Sequence, residues 1–336
     1  MMGRYVARRL FLMIPVLLGV SILAFYVSQL LPGDPARAAA GRLATPEQLE
    51  AVRERLGLDQ PIPVQYGLYI GRLLQGDLGT SLSSKQEVAQ ELRIFFPATL
   101  ELLFATMVLT VVLGITIGVR AATSRGGWVD RAFLGFSYLG VGMPVFFLAL
   151  LLQLVFAGWL RVLPIAGRLS LETVPPPVLT GLYTFDALFA GQWATMMDAG
   201  RHLVLPALTL SIAGISEVGR ITRSAMLNAL EQDYVRTARA KGLSERAVWL
   251  RHALPNAMLP TTTVIGLQVA FLLGGTVLIE NIFSWGGLGT YAWKGIFRLD
   301  IPVIMGITLV STTAYLFVNL GVDLLYTKLD PRIRYE

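Results

Sequence analysis

No cysteine occurs in the chain, and histidine occurs only at His202 and His252. The first absence removes disulfides, thiolate catalysis and cysteine-ligated metal from consideration, and says little about compartment. Two histidines so far apart in sequence argue against a built-in metal site. Charge is scarce as well. Asp, Glu, Lys and Arg make up 15% of the residues, where a soluble domain carries about a quarter. The charge that exists lies in gaps between long apolar runs, and 54% of the chain is hydrophobic, so the sequence is that of an integral membrane protein. The phosphate-binding pattern G-x-x-x-x-G-K-[ST] is missing, as is any Gly-Lys dipeptide. No nucleophile elbow or His-Glu-x-x-His occurs either. The expectation is a non-catalytic membrane chain that binds no cofactor or metal. If ATP drives it, ATP and Mg sit on separate subunits. The formal net charge of +6 fits a basic cytoplasmic bias and is no argument for nucleic acid.

Apolar runs predict about six spans with both termini in the cytoplasm. Met1–Arg9 is basic, and Leu10–Leu31 follows as a retained first span rather than a cleaved signal, since no small-residue cleavage site comes after it. Pro32-Gly33-Asp34-Pro35 ends it in a turn. Residues 32–97 form an extracytoplasmic segment, in which Thr45 caps a helix to Leu56 that opens on Pro46 and stops at Gly57. Residues 98–336 form the core, with five further spans: Ala98–Val119, Ala132–Ala157 (kinked near Met143-Pro144, a gate being the lesser alternative), His202–Ala225, Thr261–Ile279 and Ile301–Tyr326. Phe185–Met197 is too short to span and reads as an interfacial helix.

Residues 226–260 make a cytoplasmic loop of different character. Asp233 caps a short helix that Gly242 ends with a left-handed residue; Ser244 caps a second that Pro255 stops. Arg236, Arg239, Lys241, Arg246 and Arg251 outnumber Asp233 and Glu245. On charge alone this is a solvated basic loop, which the positive-inside rule accounts for.

The pattern is more specific than the charge. It resembles the E-A-A, three residues, Gly, nine residues, I-x-L-P loop of binding-protein-dependent ABC importer permeases. Ala238, Gly242, Leu254 and Pro255 match; Arg236 and His252 replace the acid and the isoleucine, and Thr237 stands in the second place. The form R-T-A-R-A-K-G is similar to the peptide/nickel branch. Leu58-Asp59-Gln60-Pro61, Pro63-Val64-Gln65-Tyr66 and Gly76-Asp77-Leu78-Gly79-Thr80-Ser81, in this order, resemble the external region of the DppB/OppB-type permease subunits of dipeptide and oligopeptide importers. The resemblance runs from Arg4-Tyr5 to the closing Leu329-Asp330-Pro331-Arg332-Ile333-Arg334-Tyr335.

The resemblance implies a type I ABC importer transmembrane fold in a bacterial or archaeal plasma membrane. It implies a heterodimer with a second permease, two cytoplasmic ATPase subunits, an extracytoplasmic solute-binding protein and a peptide cargo. Nickel chelates, glutathione and oligosaccharides remain alternatives. The ATPases would dock on Arg236, Thr237, Ala238, Arg239, Lys241, Gly242, Leu254 and Pro255, with Thr237, Ala238 and Gly242 as a small-residue face for close approach.

Thr263, Gln268 and Thr276 are intramembrane polar residues that either line a substrate path or join helices. Glu217 stands one turn from Arg220, which suggests a local ion pair rather than a proton relay. Asp323 near Asn319 reads as structural, and a secondary ion-coupled transporter using Glu217 or Asp323 is the rival class. Glu280, at an outer helix end, is either a binding-protein contact or merely exposed.

Overall fold

A computed structural model describes residues 2–30, 35–40 and 44–329. The turn at Pro32-Gly33-Asp34 and the tail from Asp330 lie outside the described residues. Among them the regular elements are helices, with one isolated bridge between Thr80 and Glu87. Two compact units are formed. One holds the chain up to Thr99 together with Gly286–Phe317, the other Leu100–Trp285 with the end of the last helix.

In the first unit, α1 (Met2–Leu30) precedes three short helices: α2 (Pro35–Ala40), α3 (Pro46–Leu56) and α4 (Ile62–Leu74). The expected caps of α3 are present: Thr45 accepts from the Gln48 amide while the Gln48 side chain accepts from the Thr45 amide. Gly57 closes the helix at φ +66°, where an L side chain is strained. The start of α5 (Val88–Thr123), α14 (Leu288–Phe297) and α15 (Ile301–Leu329) complete the unit. Val88, Leu92, Leu288, Tyr291, Val303 and Ile307 form its core. Tyr291 stacks on Phe95 with ring centroids 4.6 Å apart and donates to Glu91 at 2.7 Å. Asp300 is fully buried and accepts from the Ser81 hydroxyl (2.7 Å) and the amides of Leu82 (3.0 Å) and Ser83 (2.8 Å).

The second unit is built on α9 (Trp193–Leu230), against which α6 (Trp128–Gly142), α7 (Val145–Leu152), α8 (Tyr183–Phe189) and α12 (Leu254–Gly275) pack. Small residues set the approach. A Cβ on Gly118 of α5 would stand 2.6 Å from the Gly219 carbonyl, and one on Gly219 would stand 2.6 Å from the Phe133 ring. Such close contact is how apolar helices gain attraction where lipid gives no hydrophobic incentive to associate.

Among the described residues, four helices are long and apolar enough to cross a membrane: Tyr5–Leu30, Val88–Thr123, Trp193–Leu230 and Ile301–Leu324. The stretch read as a third, kinked span is sharper than a kink. The pair Trp128–Gly142 and Val145–Trp159 bends by 111° at Met143-Pro144, because Pro144 lacks the amide that would continue the ladder and holds the preceding residue extended. The helix expected to reach Ile279 ends at Gly275, and Thr276 separates it from α13 (Val277–Ile282). Phe185–Met197 is not one helix. Gly191, at φ +68°, divides it, so that Trp193–Met197 opens α9 instead.

Candidate functional site

The basic loop folds as a closed two-part module. Its first part, α10 (Asp233–Ala240), starts one residue earlier than the capping pattern suggests. Gln232 is the cap, without a side-chain bond, and the exposed Asp233 is the first helical residue, where its charge suits the helix dipole. Gly242 follows at φ +75° with open space around it, as the left-handed turn requires. Ser244 occupies the next cap position but makes no side-chain cap bond to α11 (Glu245–Ala247).

Pro255 does not stop the second part. The chain winds through a π-helical turn, Val248–Ala253, straight into α12, where Pro255 lies in the first turn. Proline is tolerated there because the wider π turn before it relieves the crowding of its ring against the preceding turn.

Two kinds of contact hold the module shut. Val235, Ala238 and Val248 form a buried cluster with Leu230 and Trp249 packed on it. Across the Gly242 turn, Arg239 meets Glu245 through two nitrogens, at 2.9 and 3.2 Å, and Trp249 Nε1 donates to the same carboxylate at 3.0 Å. Hydrogen bonding from Arg239, joined by its charge and by Trp249, holds the Glu245 carboxyl below the usual carboxylate range. The α9 end of the module is clamped too. Arg223 grips Asp130 at 2.5 and 2.8 Å, Asp130 also accepts from the Gly126 amide, and Arg125 pairs with Glu231 at 3.2 Å.

The outward face therefore consists of Arg236, Thr237, Arg239, Lys241 and Gly242, all exposed, with Pro255 at the start of α12 also exposed and Leu254 half-buried. Ala238 departs from the expected docking face. It is 4% exposed and packs inward, since a helix holding Val235 against the core puts the residue three positions on beside it.

The intramembrane polar residues separate. Gln268 donates to Glu217 at 2.6 Å, a bond between α12 and α9 that replaces the expected Glu217–Arg220 pair. Thr263 is exposed, its hydroxyl turned to the Leu259 carbonyl at 3.3 Å. Thr276 is buried and donates to Glu280 at 3.1 Å, so the two join the end of α12 to α13 rather than lining a path. Glu280 has no exposed surface, which removes it as a docking contact in this structure. A helix-end position suggested solvent, but Glu280 shares its short helix with the fully buried Ile279.

Sequence reading missed a second polar centre. Glu101, 3% exposed at the side chain, meets Arg168 at 2.7 Å and accepts from the Thr184 amide and hydroxyl, both at 2.7 Å. Arg168 lies 3.7 Å above the Tyr183 ring. Nearby, Asp186 gathers the amides of Leu179, Thr180 and Gly181 and the Thr180 hydroxyl. Burial opposes its charge, but those four donors outweigh it and leave its pKa lowered. An acid inside an apolar run was the one available signal for Glu101; nothing local announced Arg168.

Comparison with known proteins shows the family of the chain. Residues 114–335 match the family described as binding-protein-dependent transport system inner membrane component, and residues 2–103 match the corresponding N-terminal family. The probable D,D-dipeptide transport system permease protein DdpB of Escherichia coli K12 is 46% identical over 95% of this chain and 94% of its own. The dipeptide transport system permease protein DppB of Alkalihalophilus pseudofirmus is 42% identical over 98% and 99%. The glutathione transport system permease protein GsiC of Salmonella choleraesuis is 40% identical over the whole of both chains.

Proposed function

From the premise that the chain belongs to the binding-protein-dependent transport system inner membrane component family, we propose that it is a permease subunit of an ATP-driven importer of dipeptides or short oligopeptides. A second, homologous permease completes the pathway. A solute-binding protein delivers cargo on the outside, and two cytoplasmic ATPase subunits bind and hydrolyse ATP. The relatives of known organism are bacterial, and the membrane proposed is the bacterial inner membrane with both termini of the chain inside.

The observation that carries this reading is the module at 233–253. Its interior is closed by apolar packing and by the Arg239–Glu245–Trp249 contact, while its basic residues stay exposed to solvent. A braced protrusion with an exposed basic surface suits a docking partner that pushes. Arg236, Thr237, Arg239, Lys241 and Gly242 are the proposed ATPase contacts, with Leu254 and Pro255 passing displacement into α12; Ala238 supports them from below. Thr263 and Gln268 are the remaining candidates for the substrate path. Glutathione, itself a small peptide, is the second reading, favoured by the identity with GsiC.

The test is ATP hydrolysis by the complex in lipid with its binding protein loaded in turn with dipeptides, longer peptides, glutathione, nickel chelate and oligosaccharide. Stimulation by short peptides is expected. Hydrolysis indifferent to every loaded binding protein would overturn the assignment.

A further inference from the structure

The apolar stretch of α9 is largely buried by its neighbours, and what it leaves open is a narrow stripe. Between His202 and Ala225 its exposed residues are Ala213, Glu217, Arg220 and Ser224, spaced four, three and four apart and so on one face. None is a large apolar residue. The contrast is α5, whose exposed positions Phe104, Val108 and Val112 suit lipid. Charged groups facing hydrocarbon are costly, so intramembrane charges turn to protein or to a water-filled passage. Gln268 stands about 20 Å along α12 from Leu254 and joins Glu217 on α9, which sets the pair well away from the basic module.

The Glu217 carboxylate is oriented but not neutralised. Gln268 Nε2 donates to it at 2.6 Å, the one orientation open to this amide, because an ionised carboxylate only accepts. Gly214, one turn before Glu217, makes room. A Cβ there would stand 3.5 Å from Gln268 Oε1, so the oxygen end of the amide lies over bare α9 backbone and the nitrogen end reaches the acid. Among the described residues no cation forms an ion pair with Glu217, and Arg220, one turn further on, forms none with any acid. A carboxylate accepts about four hydrogen bonds. One neutral donor leaves most of that capacity unfilled, and the side chain keeps open surface. A charge held in place, exposed and unpaired on a face not made for lipid suits a cation that comes and goes.

We infer that Glu217, positioned by Gln268, receives the α-ammonium of the peptide cargo as it crosses. The inference rests on the reading of the chain as a short-peptide importer, whose cargoes share that cation at neutral pH. The experiment is uptake into proteoliposomes by the assembled complex with its binding protein. The cargoes are alanyl-alanine and lactoyl-alanine, in which a hydroxyl replaces the ammonium, each at a concentration that saturates the binding protein. The quantity read is the preference for amine over hydroxyl in the parent divided by that in Glu217→Gln. Discrimination by the binding protein cancels from this factor. A factor of about tenfold is expected, the strength of one charge-assisted hydrogen bond. Glu217→Asp keeps the charge and withdraws it by one methylene. It should give a smaller, several-fold factor, and it carries the test should Glu217→Gln fail to assemble. A factor near one, whether uptake of both cargoes falls or holds, would overturn the inference and leave Glu217 to the interface with the second permease. Alanyl-alanine-loaded binding protein that failed to stimulate ATP hydrolysis by the parent complex would instead overturn the short-peptide reading, and this inference with it.

Discussion

Replacing Gly118 by alanine isolates the close approach of α5 to α9. The added Cβ would lie 2.6 Å from the Gly219 carbonyl oxygen, 2.8 Å from Thr222 Cβ and 3.2 Å from Gly219 Cα, whereas ordinary contact begins near 3.4 Å. Two of these three atoms are backbone, so no rotamer change relieves the clash, and the helices must part by most of an ångström. Overpacking of this kind costs about 1–3 kcal/mol. Against it stands the gain from removing a mid-helix glycine, about 0.5–1 kcal/mol. The clash wins at this site. At Gly135 of α6 a Cβ meets nothing within 4 Å, so the same substitution keeps only the gain. The assay is thermal unfolding of the detergent-solubilised complex, comparing Gly118→Ala and Gly135→Ala with the parent. A lower midpoint for the first and an unchanged or higher one for the second is expected. A Gly118→Ala protein as stable as the Gly135→Ala control would refute the idea that small residues here permit backbone contact.

Cysteine scanning of the otherwise cysteine-free chain should separate the faces of α10: Thr237→Cys labels readily with a polar maleimide, while Ala238→Cys labels at least tenfold more slowly, a ratio that solvent access requires. Arg168→Met leaves Glu101 buried without its charge partner and should cost about 3–5 kcal/mol, only part of it recovered when Glu101→Leu is added, because the Thr184 amide and hydroxyl then lose their acceptor, as a double-mutant cycle in unfolding would measure. Because the folded-state pKa of Glu245 is lowered, its contact with Arg239 stabilises the module above the ordinary carboxylate pKa and is lost as pH falls through the lowered value. Fluorescence of Trp249 should report that loss on acidification, and a Glu245→Gln protein should show the changed signal at neutral pH. Gly242→Val places a branched side chain at φ +75°, and should leave assembly intact while ATP hydrolysis no longer drives uptake.

The parts of the fold that were legible are those where one residue decides the local geometry. Thr45, Pro46 and Gly57 bound α3 because capping is a contract between neighbours in sequence, and Gly242 turns the module for the same reason. Length and hydropathy revealed the straight spans. The breaks were harder to place. Pro144 signalled a bend but not its 111°, and Pro255 signalled a stop where a π turn lets the helix run on. The polar site was legible as far as the exposed basic residues. It failed where the partner is distant in sequence: Glu217 with Gln268, Asp130 with Arg223, and Glu101 with Arg168 each join residues on separate elements. Glu280 shows the converse error, since an acid near a helix end reads as wet until the packing around it is known.

The two ends of the basic module are attached to the rest of the chain in different ways. At Glu231–Gln232 the long α9 stops and α10 begins afresh, whereas from Glu245 onward the helical winding continues unbroken through the π turn into α12. In mechanical terms the second attachment is a weld, while the first is a break in the winding pinned by the Arg125–Glu231 pair. On the docking role proposed above, a displacement at Arg236 or Lys241 would pass through the weld into α12, the helix that carries Gln268 to Glu217.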